Sequence, residues 1–104
     1  MSEVSLVDNR LVFSLINETD ETIYYGEYIT LEKQKDGKWH EIPLSRKVGF
    51  VDILNHLSPH SEDKTSYSIE AWENISTGEY RFIKEFFLDK KQKDPKYIFK
   101  EFEL

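Results

Sequence analysis

Apolar residues recur at every second position in several short runs of this chain. Leu11, Phe13 and Leu15 form one such run, and Tyr67 and Ile69 belong to another. A period of two places side chains on one face of a β-strand, whereas an amphipathic helix needs apolar residues three and four positions apart. No segment keeps the helical spacing for three turns. The pattern therefore predicts an all-β protein.

Turn signals separate these runs about every ten residues. Asp36-Gly37 predicts a tight hairpin because both residues accept positive φ angles, and polar residues at 55–64 and 89–96 predict loops. Further strands are expected at 48–53, 80–88 and 97–104. Short strands with regular turns in 104 residues predict one domain, 1–104, built as an antiparallel sandwich of about seven strands with Greek-key connections.

The segment Ile75-Ser76-Thr77-Gly78-Glu79-Tyr80 leads from a tight turn directly into a strand. A tyrosine at such a strand entry, two residues after glycine, is typical of the tyrosine corner of immunoglobulin-like sandwiches. There the phenol hydroxyl bonds to backbone a few residues upstream. We therefore expect Gly78 and Tyr80 to form a structural corner, and the sandwich to be immunoglobulin-like.

Composition narrows the classes of function. Twenty acidic and 14 basic residues give a net charge of -6, which disfavours binding to nucleic acid or to an anionic membrane surface. Zero cysteines exclude disulfides and cysteine-ligated metal sites. The sequence has no apolar run long enough to insert in a membrane. We expect a location in the cell envelope or outside the cell if a signal segment was removed, and otherwise in the cytoplasm.

Three groups of residues together resemble the bacterial Ig-like domains of small Firmicutes and Bacteroidetes proteins, often appended to lipoproteins. The groups are Tyr25-Gly26, Tyr28, Leu31-Glu32-Lys33, Gly37, Trp39 and Ile42-Pro43; Asp52-Ile53, Leu57 and Pro59; and Gly78, Tyr80-Arg81 and Lys84. The resemblance covers roughly residues 10–88. His60 stands where the family usually has glycine, and Thr77 where it often has proline. The resemblance implies a non-enzymatic β-sandwich, commonly outside the cytoplasmic membrane, with no catalytic residues.

Side chains that could take part in catalysis or bind a metal ion are present, but their spacing in the sequence does not suit either role. His56 and His60 are four residues apart, a spacing that suits one metal ion only on a helix, and Pro59 between them disfavours a helix. No serine lies on a glycine-flanked elbow, and no glycine-rich loop is present to hold phosphate. We therefore expect no catalytic residues, no metal and no cofactor.

Two features are candidates for recognition. Lys90, Lys91, Lys93 and Lys96 form a local basic group on the loop before the last strand, which could dock an acidic partner or an anionic envelope polymer. Trp72 ends the run that contains Tyr67, and the alternation places it on the exposed side. Trp39 follows the Asp36-Gly37 turn and is expected in the core.

These features favour a non-enzymatic binding or accessory module, monomeric, that recognises an unknown protein or envelope polymer. The contact would use end loops or an exposed sheet face. Two other hypotheses stay open at this point. One is a small inhibitor or immunity-type protein that blocks another protein, and the other is a structural spacer.

Overall fold

A computed structural model describes residues 1–45 and 53–104 of the chain. These residues form nine strands: β1 (Ser5–Val7), β2 (Arg10–Asn17), β3 (Ile23–Tyr25), β4 (Thr30–Lys35), β5 (Lys38–Glu41), β6 (Asn55–Leu57), β7 (Ser61–Ser68), β8 (Glu79–Phe86) and β9 (Lys96–Glu103). One turn of 3-10 helix, Ile69–Ala71, follows β7. Most of the strand expected at 48–53, and Asp52 of the resemblance, lie outside the described residues. In the described ranges, no helix has the length and apolar character that crossing a bilayer requires.

Two antiparallel sheets form the layers of the domain. One has the strand order β1-β2-β7 and the other β5-β4-β8-β9, while β3 pairs with β6 at one end. β2 pairs with β7 in one sheet and β4 pairs with β8 in the other. The order along the chain is β2, β4, β7, β8, so the two pairs interlock in sequence. This interlocking is what Greek-key connections produce. The predicted antiparallel sandwich is confirmed.

Alternation along the strands fills the space between the sheets. Leu11, Phe13 and Leu15 of β2 point inward with 0–4% of their surface exposed, opposite Tyr80 and Phe82 of β8, both at 0%. Aromatic rings supply much of the core volume; the Phe13 and Phe82 ring centroids are 5.2 Å apart. Burial of this apolar surface supplies the main driving force for folding.

Two hairpins turn on pairs of residues with positive φ. Asp36 and Gly37 have φ angles of 55° and 77°, as expected from the sequence, and connect β4 to β5. Asp8 and Asn9, at 49° and 62°, connect β1 to β2 in the same way. Short polar side chains tolerate this conformation. The alternation did not reveal β1 because its three residues are all exposed.

The segment expected as a loop at 55–64 is mostly strand. β6 covers Asn55–Leu57 and β7 begins at Ser61, which leaves a turn of three residues around Pro59. Polar residues populate the first half of β7 because three consecutive side chains there, Glu62, Asp63 and Lys64, are exposed, so the polarity that predicted a loop reflects exposure. Register with β2 extends the pairing to Asn17↔Ser61.

Candidate functional site

Tyr80 has the contacts of a tyrosine corner. Its hydroxyl donates to the Ser76 carbonyl oxygen at 2.8 Å and accepts from the Ser76 N–H at 3.1 Å. The ring is fully buried and stacks on Phe102 at a centroid distance of 5.9 Å. Gly78 makes the approach with φ of 149°, a conformation that L side chains rarely adopt. Gly78 and Tyr80 therefore hold the turn before β8 in place, a structural role.

We expect Tyr80→Phe to lower the free energy of unfolding by about 1–3 kcal/mol. The substitution keeps the ring but leaves the Ser76 N–H and carbonyl without their shared partner. Calorimetry measures the effect as a lower melting temperature, and Tyr97→Phe, at an exposed tyrosine, is the control. A midpoint identical to that of the wild type would contradict the stabilising role of the corner.

The four loop lysines lie at one end of the sandwich with exposed side chains. Lys90, Lys91 and Lys93 lie on the connection after β8, and Lys96 is the first residue of β9. The turn around Pro59 lies at the same end, because Leu57 pairs with Ile23 and the adjacent Tyr24 bridges to Phe87. The lysines are spread along this loop rather than gathered around a pocket.

Trp72 is buried, and the prediction that it is exposed is wrong. Only 4% of its surface is accessible, and its ring lies 5.6 Å from Phe82 and 6.0 Å from Tyr67 between ring centroids. The alternation that placed it outside assumed that β7 continues. Instead β7 ends at Ser68, whose side chain accepts from the Glu70 N–H and begins the 3-10 turn, so the period of two is lost before Trp72.

Exposed aromatic side chains lie elsewhere, on the outer face of the β5-β4-β8-β9 sheet. Tyr97 and Phe99 of β9 are 60% and 62% exposed. Trp39 of β5, expected in the core, is half-buried on the same face. The strand pairing brings these positions together. Phe99 of β9 pairs with Ile83 of β8, and Arg81, two residues before Ile83, lies between the two outer strands of the sheet, β5 and β9. We call this surface, centred on Trp39, Arg81, Tyr97 and Phe99, the aromatic face.

Arg81 is held at the centre of the aromatic face. Its guanidinium carbon lies 4.5 Å from the Trp39 ring centroid and 5.8 Å from that of Phe99. Its Nε also forms an ion pair with Glu32 Oε1 at 2.6 Å, and both side chains are only 18–25% exposed. Arginine over an aromatic face gains cation–π attraction while its flat group stays ordered. The result is a preformed surface of one cation between aromatic rings.

Glutamates surround the aromatic face. The alternation of β8 and its neighbours places the following on the same outward side: Glu41, Glu79, Glu85, Glu101 and Glu103. Glu85 accepts from the Tyr97 hydroxyl at 3.1 Å, and this hydrogen bond raises the pKa of Tyr97. A depression of about 250 Å³ lies between Trp39 and the Glu79, Glu101 and Glu103 side chains. The rim is therefore acidic and the centre aromatic.

A cavity of about 410 Å³ lies between β7 and the end of β3. Its wall is formed where β3 and β4 separate. Tyr24 bridges to Phe87, and Thr30 pairs with Ile83. The chain therefore takes six residue steps from Tyr24 to Thr30 opposite only four steps from Ile83 to Phe87, and the two extra residues form a bulge. Lys84 of β8 lies opposite this bulge with 2% of its surface exposed. Its Nζ donates to the carbonyls of Gly26 at 2.5 Å and Tyr28 at 2.9 Å.

Three polar side chains that line this cavity, those of Tyr25, Tyr67 and Lys84, form hydrogen bonds within the protein. The Tyr25 hydroxyl donates to Asp63 Oδ2 at 2.7 Å, and the Tyr67 hydroxyl donates to the Glu27 carbonyl at 2.8 Å. Burial lowers the pKa of Lys84 to about 8, against the opposing influence of the Glu27 and Glu85 carboxylates. Burial likewise raises the pKa of Tyr67 to about 12. The lysine takes the place of ladder hydrogen bonds that the bulge removes, which is a structural role.

Sequence reasoning missed both Lys84 and the aromatic face. The signal for Lys84 was its parity, since Tyr80, Phe82 and Lys84 share the inward side of β8. The same alternation places Arg81 on the outward side, but no residue near Arg81 in sequence shows that Trp39 and Phe99 flank it. Among residues 1–45 and 53–104, no three His, Asp or Glu side chains are grouped to hold a metal ion. His60 instead contacts Asp20 at 2.6 Å at the exposed turn.

Comparison with known proteins agrees with the architecture. The family model for the bacterial Ig-like domain matches residues 2–103, nearly the whole chain. Neither a curated protein nor a solved structure matches the chain. The resemblance suggested by the sequence is confirmed and extends beyond the segment that carried it. With two facing antiparallel sheets, a tyrosine corner and this match, the chain belongs to the bacterial Ig-like domain family.

Proposed function

We propose that this domain is a non-enzymatic binding module that recognises a partner protein through its aromatic face. The observation that carries the proposal is Arg81, fixed between Trp39 and Phe99 by an ion pair with Glu32. Tryptophan, tyrosine and arginine dominate the energetics of protein interfaces, above all at the centre of a contact. Side chains that are already ordered lose less conformational entropy on binding.

The rim indicates the chemistry of the partner. Glu41, Glu79, Glu101 and Glu103 surround the aromatic centre, and the whole chain carries a net charge of -6. Charge complementarity across an interface favours a partner with an apolar centre and basic residues around it. The same charges repel nucleic acid, because phosphate contacts need a basic surface. A basic-rimmed protein surface is therefore the occupant that we propose.

The cavity beside Lys84 supports the non-enzymatic part of the proposal. General acid–base chemistry needs titratable groups that reach a substrate. Here the ammonium of Lys84 and the hydroxyl of Tyr25 form hydrogen bonds to other groups of the protein. A structural spacer does not need exposed aromatic rings on a preformed face, so these rings favour a binding module over a spacer.

Site-specific photo-crosslinking tests this proposal. A benzophenone amino acid is placed at position 99 on the aromatic face, at position 6 on β1, where Leu6 is 51% exposed, or at position 91 in the lysine loop. After irradiation in the cells that produce the protein, we expect a discrete adduct from position 99 and none from position 6. Mass spectrometry then identifies the partner. Adducts from position 91 alone would move recognition to the loop, and equal labelling from all three would contradict the proposal.

A further inference from the structure

The edge of the aromatic face has its own hydrogen-bonding groups. β9 is the terminal strand of the β5-β4-β8-β9 sheet and pairs with β8 along all eight of its residues. Its other side faces away from β8. Which backbone groups point to that open side follows from the register of the pair.

Gly78 and Leu104 fix the pattern. The Gly78 N–H donates to the Leu104 carbonyl and the Leu104 N–H donates to the Gly78 carbonyl, both at 2.9 Å, so these two residues form a hydrogen-bonded pair. Hydrogen-bonded and non-hydrogen-bonded pairs alternate along an antiparallel ladder. Counting back through the register, Phe102, Lys100 and Ile98 bond to β8. The backbone groups of four residues therefore point to the open edge: Tyr97, Phe99, Glu101 and Glu103.

Among residues 1–45 and 53–104, β8 is the only strand that pairs with β9. The four residues whose backbone groups point away from β8 also form part of the aromatic face and its rim. Tyr97 and Phe99 supply exposed rings, and Glu101 and Glu103 supply charge. An added strand would form its hydrogen-bonded pairs with these four residues. The Cα atoms of directly opposite residues in such a pair lie about 5.5 Å apart, and their side chains point to the same side of the sheet. Backbone pairing and side-chain contact would thus occur at the same positions.

We infer that the partner adds an extended segment to the β9 edge, which would extend the four-stranded sheet; this inference rests on the proposed function. Running antiparallel to β9, the segment would place basic residues opposite Glu103 and Glu101 and apolar residues opposite Phe99 and Tyr97. Its pattern from the amino end is basic, any, basic, any, apolar, any, apolar. Main-chain bonds supply affinity in this mode, and alternate side chains supply specificity.

A second copy of this chain fits the edge less well. Two β9 strands paired antiparallel through these four residues bring glutamate opposite glutamate or opposite an aromatic ring. The two lysines of the strand, Lys96 and Lys100, lie on the other parity, and Lys100 forms an ion pair with Glu3 at 3.2 Å. Glu3 belongs to an N-terminal segment that is held against this same domain, because the backbone N–H of Ser2 donates to the Ser14 carbonyl of β2. The charge of Lys100 is therefore paired within the chain. Like charges directly opposite destabilise a strand pair, so the glutamates favour a basic partner.

Amide hydrogen exchange by NMR tests the inference with the whole 104-residue chain. The probe is the peptide Arg-Thr-Lys-Thr-Val-Thr-Tyr, with a scrambled peptide of the same composition as control. In the free domain, we expect the amides of Tyr97, Phe99 and Glu101 to exchange faster than those of Ile98 and Lys100. Addition of the peptide is expected to slow the first set at least tenfold.

Backbone N-methylation of the peptide supplies the matched control. Methyl groups on the Lys and Val nitrogens block the amides that would face β9, so protection is expected to disappear. Methyl groups on the threonine nitrogens face away, so protection is expected to persist.

The outcomes separate this inference from the proposed function. Shifts of the Trp39 and Phe99 side-chain signals without amide protection would overturn strand addition and leave binding at the face. Absence of binding at millimolar peptide would also overturn strand addition, whatever the crosslinking from position 99 gives. Concentration-dependent protection without peptide would assign the edge to a second copy and overturn the basic partner.

Discussion

Replacing Trp72 by alanine is expected to lower the free energy of unfolding by about 3–5 kcal/mol. The indole is 4% exposed and packs against Phe82 and Tyr67, so its removal leaves a cavity that these rings cannot fill. For a domain of this size, such a loss lowers the melting temperature by at least about 12 °C. A loss of about 3–5 kcal/mol approaches the total free energy of unfolding of many small domains. Denaturant unfolding followed by circular dichroism measures it.

Trp39→Ala is the matched comparison, with the same change of residue on the half-exposed aromatic face. It removes the contact with Arg81 and is expected to cost about 1 kcal/mol or less. An order of effects in which Trp39→Ala is the more destabilising would reverse the assignment of the two tryptophans and remove the basis for the aromatic face.

Stability is expected to rise as the pH increases from 8 to about 9.5, by roughly 2 kcal/mol. The folded state holds Lys84 with a pKa of about 8 against 10.5 for an unperturbed lysine. Between these values the unfolded chain binds the extra proton. Raising the pH removes that proton and with it the advantage of the unfolded state. The stabilisation is therefore complete above the unfolded pKa of 10.5, falls progressively as the pH is lowered from there, and is fully lost once the pH has fallen through the folded pKa of about 8.

Tyr25 and Tyr67 limit this rise at higher pH. Burial raises the pKa of both phenols, and the hydrogen bond to Asp63 adds to the effect at Tyr25. A raised pKa stabilises the fold below the unfolded value of about 10, and that stabilisation is lost as the pH rises further. Denaturant unfolding at half-unit pH intervals is expected to show a maximum near pH 10. Lys84→Met is expected to abolish the rise, whereas a wild-type curve that is flat or falling from pH 8 to 9.5 would contradict the burial of a charged Lys84.

The sequence was sufficient where local signals and the global fold agree. Gly78 and Tyr80 lie two residues apart at a strand entry, so the corner could be predicted from a single turn. Leu11, Phe13 and Leu15 show the inward side of β2 without reference to any other strand. Asp36-Gly37 specifies its hairpin through the φ angles that the two residues accept. Each prediction depended on a few consecutive residues.

The sequence was insufficient where distant strands determine the surroundings of a side chain. Trp72 follows a 3-10 turn that interrupts the alternation, so its parity could not be counted from Tyr67. Arg81 meets Trp39 and Phe99 only through the register of β8 with its neighbours. Lys84 is buried because a two-residue bulge across the sheet leaves carbonyls for its ammonium. Such pairings are non-local and leave no local pattern.

The most direct measurement of recognition through the aromatic face is the affinity of the crosslinked partner for two surface variants. The partner is purified, and calorimetry compares the wild type with Phe99→Ser on the aromatic face and Leu6→Ser on the opposite sheet, where both residues are exposed. We predict that Phe99→Ser weakens binding at least tenfold, while Leu6→Ser stays within about twofold of the wild type. Equal affinities for Phe99→Ser and the wild type would contradict the account.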